Sequence, residues 1–159
     1  MGKPVWNDLA RLVALTAATY AVWAAIWAIA FPKFMFDMIG GTLGPQGIIP
    51  PKSSAIFIFV IVRIPLVQIL SIVFSLFVLA FEWPVKPLVA RVPFIHRSYG
   101  FRYGILLWNS FLSIILYQGA NAGLYYFVAT VFYMLAHKNN EVIQTVAPHM
   151  SIPAKRSVV

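Results

Sequence analysis

The chain has 159 residues, 61% hydrophobic and only 10% charged, a balance far from that of a soluble domain and one that makes a bilayer its solvent. Its formal net charge of +8 is spread over helix ends and short loops, which points to membrane phosphates and away from nucleic acid as the counterion. The absence of cysteine excludes disulfides, thiolate metal sites and cysteine palmitoylation.

Crossing a hydrocarbon core of ~30 Å takes ~20 mainly apolar residues. Four windows approach or exceed that length: Leu12 to Phe31, Ala55 to Phe81, Tyr103 to Gln118 and Asn121 to Ala136. The first helix is expected to be capped by Asn7 or Asp8 and ended by Pro32. A basic start, an apolar run and Ala28-Ile29-Ala30 resemble a cleavable secretory signal, but the run is longer than a signal core and carries Trp23 and Trp27, so it reads as a retained span. Myristoylation at Gly2 is opposed by Trp6, which stands where that motif wants Ser or Thr. Along this helix Ala10, Ala14, Ala17, Ala21, Ala25 and Ala28 recur at three- and four-residue steps, a stripe along which another backbone can approach closely.

The loop from Lys33 to Ser54 is too apolar for a tail and, with Gly40-Gly41-Thr42-Leu43-Gly44-Pro45-Gln46-Gly47, too broken for a span. A short interfacial helix or re-entrant turn is expected there. The second helix should run from Ser53 or Ser54 to Phe81 or Glu82, where Trp83-Pro84 stops it. At ~1.5 Å per residue its roughly 27 residues make about 40 Å, so tilt, a kink at Pro65 or protrusion must absorb the excess. The Trp83 to Arg102 connection, with three prolines and Lys86, Arg91, Arg97 and Arg102, reads as a headgroup-hugging loop.

The last block, Tyr103 to Ala136, is too long for one span; Gln118-Gly119-Ala120-Asn121-Ala122-Gly123 divides it into a helical hairpin, with Ser98 capping the third helix. Charge supports the division. Four spans place Lys3, Arg11, Lys86, Arg91, Arg97, Arg102, Lys138, Lys155 and Arg156 on one side against Lys33 and Lys52 on the other. The expected fold class is therefore all-α, a polytopic bundle of four transmembrane helices with both termini cytoplasmic. Residues 1–138 form the membrane domain and 139–159 a polar cytosolic tail.

Arg63 is the one ionisable residue inside a span, about eight residues or ~12 Å from the outer end of the second helix. It is read either as a lipid-phosphate or partner contact or as a side chain snorkelling to the headgroups with Asp37 as counterion. Gln68, Ser71 and Ser75 share a face of the second helix, and Asn109, Ser113 and Tyr117 a face of the third. With Ala14, Ala17, Ala21 and Ala25 they read as interhelical packing. Gly119 and Gly123 have GxxxG spacing but overlap the expected turn, so flexibility accounts for them as well as packing does. A phosphate-loop reading of the glycine-rich stretch fails, because Pro50-Pro51 stands before Lys52-Ser53 where that motif needs Gly.

His96, His137 and His149 show no two at ligand spacing, so neither a metal site nor a cofactor is expected. Asp8, Asp37, Glu82 and Glu141 are the only acids and none falls mid-membrane, which argues against a proton- or cation-coupled transporter and offers no catalytic constellation. Trp6 and Trp83 fall where interfacial anchors prefer to sit.

Trp6-Asn7-Asp8 with Ala10-Arg11-Leu12-Val13, Gly40-Gly41-Thr42-Leu43 and Tyr117-Gln118-Gly119-Ala120-Asn121-Ala122 resemble an uncharacterised family of small four-helix integral membrane proteins found in fungi. The resemblance spans roughly Met1 to Ala136 and implies four helices and a fungal membrane, but no activity. Three functions then follow from the residues. The first is a non-enzymatic accessory or scaffolding subunit packed against another integral membrane protein or copies of itself. The second is an anionic-lipid-binding protein using Arg63 and the Lys86 to Arg102 loop. The third is a small channel or transporter with a wet path lined by Gln68, Ser71, Asn109 and Ser113. The endoplasmic reticulum and the plasma membrane are equally open.

Overall fold

The computed structural model describes residues 5–36, 41–45, 47–83 and 98–141. Asp37, Lys86, Arg91, Arg97, His96, His149 and the expected cytosolic tail beyond Glu141 lie outside the described residues. The described chain is mostly helical. Helix α1 (Trp6–Ala30) is followed by a two-stranded antiparallel hairpin, β1 (Thr42–Gly44) and β2 (Gly47–Ile49), paired as Thr42 with Ile49, Leu43 with Ile48 and Gly44 with Gly47. A 3-10 turn (Lys52–Ser54) leads into α2 (Ala55–Ile58), which continues as a π turn (Phe59–Arg63) before α3 (Leu66–Glu82). Helix α4 (Tyr99–Ile115) and α5 (Ala120–Lys138) form the C-terminal hairpin, joined through a 3-10 turn at Tyr117–Gly119.

Where a short interfacial helix or re-entrant turn is expected in the first loop, the chain reverses through a β hairpin of residues 42–49, not a helix. Gly44 and Gly47, on either side of Pro45-Gln46, favour a reversal over helix propagation, and the β-branched Ile48 and Ile49 suit an extended strand. The segment just after α1 is tied to the other hairpin: the amide of Met35 donates to the Ile115 carbonyl (2.9 Å), that of Tyr117 to Lys33 (3.3 Å), and the Gln118 Nε2 to Phe31 (2.6 Å).

Helix α1 lies against α5 on one side and α3 on the other, while α5 also packs on α4. Its alanines make this possible. Ala10, Ala14, Ala17, Ala25 and Ala28 are fully buried and Ala21 nearly so, whereas Leu12, Trp23, Ile26 and Trp27 on the opposite face are exposed. The turn glycines are close-packed, not merely flexible. A Cβ on Gly119 would stand 2.7 Å from the Ser113 carbonyl oxygen, and one on Gly123 would collide with the Ile114 side chain and lie 2.9 Å from the Ser110 carbonyl oxygen. Ser110 Oγ exploits the close approach by donating to the Gly123 carbonyl at 2.7 Å.

The second span is not one helix. Its halves, Lys52–Arg63 and Leu66–Glu82, meet at 64°. Pro65 has no N–H and biases its predecessor to extended backbone, and Ile64 accordingly sits at φ −121°, ψ 114°. The proline also leaves the carbonyl four residues earlier, that of Ile61, without its helical donor. Pro32 does the same to Ala28 at the end of α1. One side-chain amide serves both: Gln68 Nε2 donates to Ile61 at 2.7 Å and to Ala28 at 3.3 Å.

By length and composition α1 and the stretch Tyr117–Lys138 suffice to cross a membrane, and the bent pair makes a third crossing if counted as one. Helix α4, with 17 residues, extends about 26 Å, at the lower edge of the length range for a crossing.

Replacing Gln68 with Leu should lower stability by about 1–3 kcal/mol for each carbonyl left unpaired in the core. The loss should shrink in a Pro65→Ala background, where residue 65 regains the N–H that serves Ile61. Thermal unfolding of the four proteins of this cycle in detergent measures the coupling.

Candidate functional site

The strongest chemical feature lies where the start of α1, the end of α3, the start of α4 and the end of α5 converge. Glu82, the last residue of α3, and Arg102, in the first turn of α4, are buried together at 3% exposure each. Arg102 Nη1 donates to Glu82 Oε2 at 2.6 Å, and the Tyr133 hydroxyl of α5 donates to the same oxygen at 2.7 Å. Arg102 Nη1 also lies 2.8 Å from the Tyr133 oxygen, and its guanidinium carbon sits 5.1 Å from the Phe81 ring centre and 5.2 Å from that of Tyr133. The Arg11 Nε of α1 donates to the Glu82 main-chain carbonyl at 3.0 Å, placing a cation at the negative end of α3. Four helices thus meet on one carboxylate residue.

This overturns the headgroup reading of Arg102. A guanidinium enclosed by a carboxylate, a phenol and two rings is unavailable to lipid phosphate; it holds α4 against α3 and α5. Glu82, treated in the sequence as uninformative, is its counterion. Both continue polar stripes already visible: Glu82 is seven residues beyond Ser75, and Arg102 seven before Asn109. Tyr126 and Tyr133 repeat the same interval on α5, and one heptad from the ion pair the Tyr126 hydroxyl donates to Ser75 Oγ at 2.9 Å.

The other packing candidates also lie inside. Gln68, Ser71, Ser75, Asn109 and Ser113 are all buried. Asn109 Nδ2 donates to its own helix at Ile105 (2.9 Å), while Asn109 Oδ1 and Ser113 Oγ have no hydrogen-bond partner among the described residues. Trp6 meets Phe132 at a tilt with ring centres 5.6 Å apart, and His137 is layered on Tyr99 at 5.3 Å.

The start of α1 is closed by a residue from the far end of the chain, not by Asn7 or Asp8. Helix α1 begins at Trp6 with no side-chain cap from Val5; the Glu141 carboxylate instead accepts the amides of Trp6 (3.2 Å) and Asn7 (2.8 Å). Asn140, at φ 53°, makes this reach possible. It ends α5 in a Schellman arrangement, with the Glu141 amide on the Ala136 carbonyl and its own on His137, and the Tyr99 hydroxyl then donates to the Glu141 carbonyl at 2.7 Å. Ser98 caps α4 as expected, accepting from the Phe101 amide at 3.3 Å.

Arg63 has a different setting. It is exposed at the end of the π turn, on the rim of an open groove of about 370 Å³ that Lys52 also borders, with Pro50, Pro51, Ala55 and Phe59 among the walls. Two cations eleven residues apart in sequence therefore share one apolar-walled groove. Among the described residues no group of three or more His, Asp or Glu side chains is placed to hold a metal ion.

A family model described as a domain of unknown function, DUF7727, matches residues 1–141. The chain belongs to the DUF7727 family. No curated protein and no solved structure matches it. The DUF7727 match ends at Glu141, the residue whose carboxylate closes the start of α1.

Truncating Arg102 to Leu should cost about 3–5 kcal/mol, because Glu82 is left buried and unpaired. Glu82→Leu with Arg102→Leu should recover much of that loss. Unfolding midpoints of the two single variants and the double variant measure the recovery.

Proposed function

We propose that the chain is a non-enzymatic integral membrane protein of four spanning helices, both termini cytoplasmic, that binds and organises anionic lipid. The observation that carries this reading is the groove where Lys52 and Arg63 meet among apolar walls at the break of the second span. Its chemistry is that of a phospholipid headgroup region: two cations for a phosphate, flanked by proline, alanine, isoleucine and phenylalanine that accept hydrocarbon. The break turns Arg63 outward instead of leaving it in the helical core, which lowers the cost of an arginine at that depth.

Three further observations support it. The start of α1, the end of α3, the start of α4 and the end of α5 share one end of the bundle, as an up-and-down arrangement with both termini on one side requires. The reactive side chains of the Glu82 cluster are enclosed and mutually hydrogen-bonded, so they present no accessible base or nucleophile to a substrate. The outward faces carry large apolar residues such as Ile69, Val73 and Leu76 on α3 and Leu124, Phe127 and Val131 on α5, suited to acyl chains.

Lys52→Gln combined with Arg63→Leu should weaken anionic lipid binding at this groove by roughly tenfold or more and so remove the lipid held there from the complement that co-purifies. Lipid analysis of material purified in mild detergent reads this directly, and an unchanged lipid complement would sink the proposal.

A second reading, an accessory subunit of a larger membrane complex, is favoured by the aromatic ladder on the outer side of α1. Trp23, Trp27 and Phe31 follow one another at 5.9 Å between ring centres, all three exposed. A stoichiometric protein partner in mass spectrometry of the native material, lost on Trp27→Ala, would favour it over the lipid reading.

A further inference from the structure

The sequence assigns no role to the face between α1 and α3 at the charged end of the bundle, yet a second groove lies there. It has a volume of about 530 Å³ and is walled by Leu15, Thr19, Tyr20 and Trp23 of α1, by Leu79 of α3 and by Trp83 just beyond its end. Its two threonine hydroxyls are turned back onto their own helix, Thr16 Oγ1 donating to the Leu12 carbonyl and Thr19 Oγ1 to that of Leu15, so the walls are mainly apolar and aromatic. One turn before Leu15 stands Arg11, whose Nε is fixed on the Glu82 carbonyl beside Trp83. Among the described residues no partner takes its Nη1 or Nη2.

We propose that this groove is a binding site for one anionic phospholipid, with an acyl chain laid between α1 and α3 and the phosphate held by Arg11. This rests on the membrane reading above but not on the Lys52 and Arg63 groove, which is at the other end of the spans. Length fits the assignment. From Arg11 to Trp23 the helix rises ~18 Å, close to the ~15 Å of one leaflet of hydrocarbon, so the charge falls at headgroup depth when the groove lies in the acyl region. Charge fits as well, since a sterol has no anion to match an arginine held at the mouth. A partner helix fits less well, because close helix packing wants small residues at the contact. The small residues of α1, Ala10, Ala14, Ala17 and Ala21, all face inward, leaving Tyr20, Trp23 and Trp83 to wall the groove.

Native mass spectrometry of the full chain, exchanged in detergent against phosphatidylglycerol, phosphatidylcholine or a sterol, tests the proposal. The wild type should retain one phosphatidylglycerol in preference to phosphatidylcholine. Thr19→Trp, a change at an exposed position that fills the groove, should abolish that retention. Arg11→Gln should reduce the preference by roughly fivefold, the effect of one basic residue at an anionic surface, and Arg11→Lys should preserve it. Lys52→Gln with Arg63→Leu should leave this lipid bound, which separates the two sites. In wild-type protein, a phosphatidylglycerol with a photoreactive acyl chain should label Leu15 to Trp23 or Leu79 to Trp83, a readout that needs no variant. Equal uptake of the two phospholipids, displacement by sterol, retention in Thr19→Trp, or labelling confined to other helices would overturn the assignment. Release of the protein from membranes by alkaline carbonate would overturn this site and the membrane reading together.

Discussion

A main-chain carbonyl in a dry helical core has no water to turn to, and each proline in a helix orphans one such group. Pro32 and Pro65 do this at neighbouring points of the bundle, to Ala28 and to Ile61, and Gln68 answers both. The 64° bend is thereby tolerated without an unpaired acceptor at either carbonyl. The site of the bend in turn decides that Arg63 leaves the core, and it joins the end of α1 to the second span at the end of the bundle opposite the ion pair.

At that opposite end the same need is met by charge. Arg102, Glu82 and Tyr133 satisfy one another while Arg11 and Glu141 close the ends of α3 and α1. Between the two ends the polar groups of α3, α4 and α5 recur at heptad spacing and face inward. Ser75 meets Tyr126 in one layer, and Glu82 meets Tyr133 in the next. The bundle therefore carries its strongest polar chemistry internally and offers hydrocarbon, aromatic rings and a few cations outside. Such a distribution is the one that the proposed work through lipid contact calls for.

Much of the frame was legible in the sequence. The alanine stripe, the stop at Pro32, the cap at Ser98 and the turn near Gly119 each rest on local rules of sterics and hydrogen bonding. What was not legible depends on partners far apart in the chain. Glu82 looked like a helix-end acid and Arg102 like a loop cation, because nothing within a turn of either reveals the other. The signal is the seven-residue interval that places each on a polar stripe, and it competes with the rule that charge at a span boundary is usually solvated. Asn7 was the natural cap by residue type, but Glu141, 134 residues away, took the amides instead. The hairpin at Thr42–Gly44 and Gly47–Ile49 was missed because apolar content was weighed over the glycines that favour a reversal.

The placement of Glu82 and Arg102 on successive long helices has a consequence for biogenesis. Synthesis delivers the acid first, at the end of α3, then Arg102 at the beginning of α4, and Tyr133 last. Both charges stand at the same end of the bundle, so in the proposed four-span arrangement neither has to traverse hydrocarbon while unpaired. In that arrangement they meet in the headgroup layer as the second and third long helices come together. The order of the residues along the chain thus makes insertion of the C-terminal hairpin the step that seals the acid, and a chain arrested before Tyr133 would hold that carboxylate with its coordination incomplete.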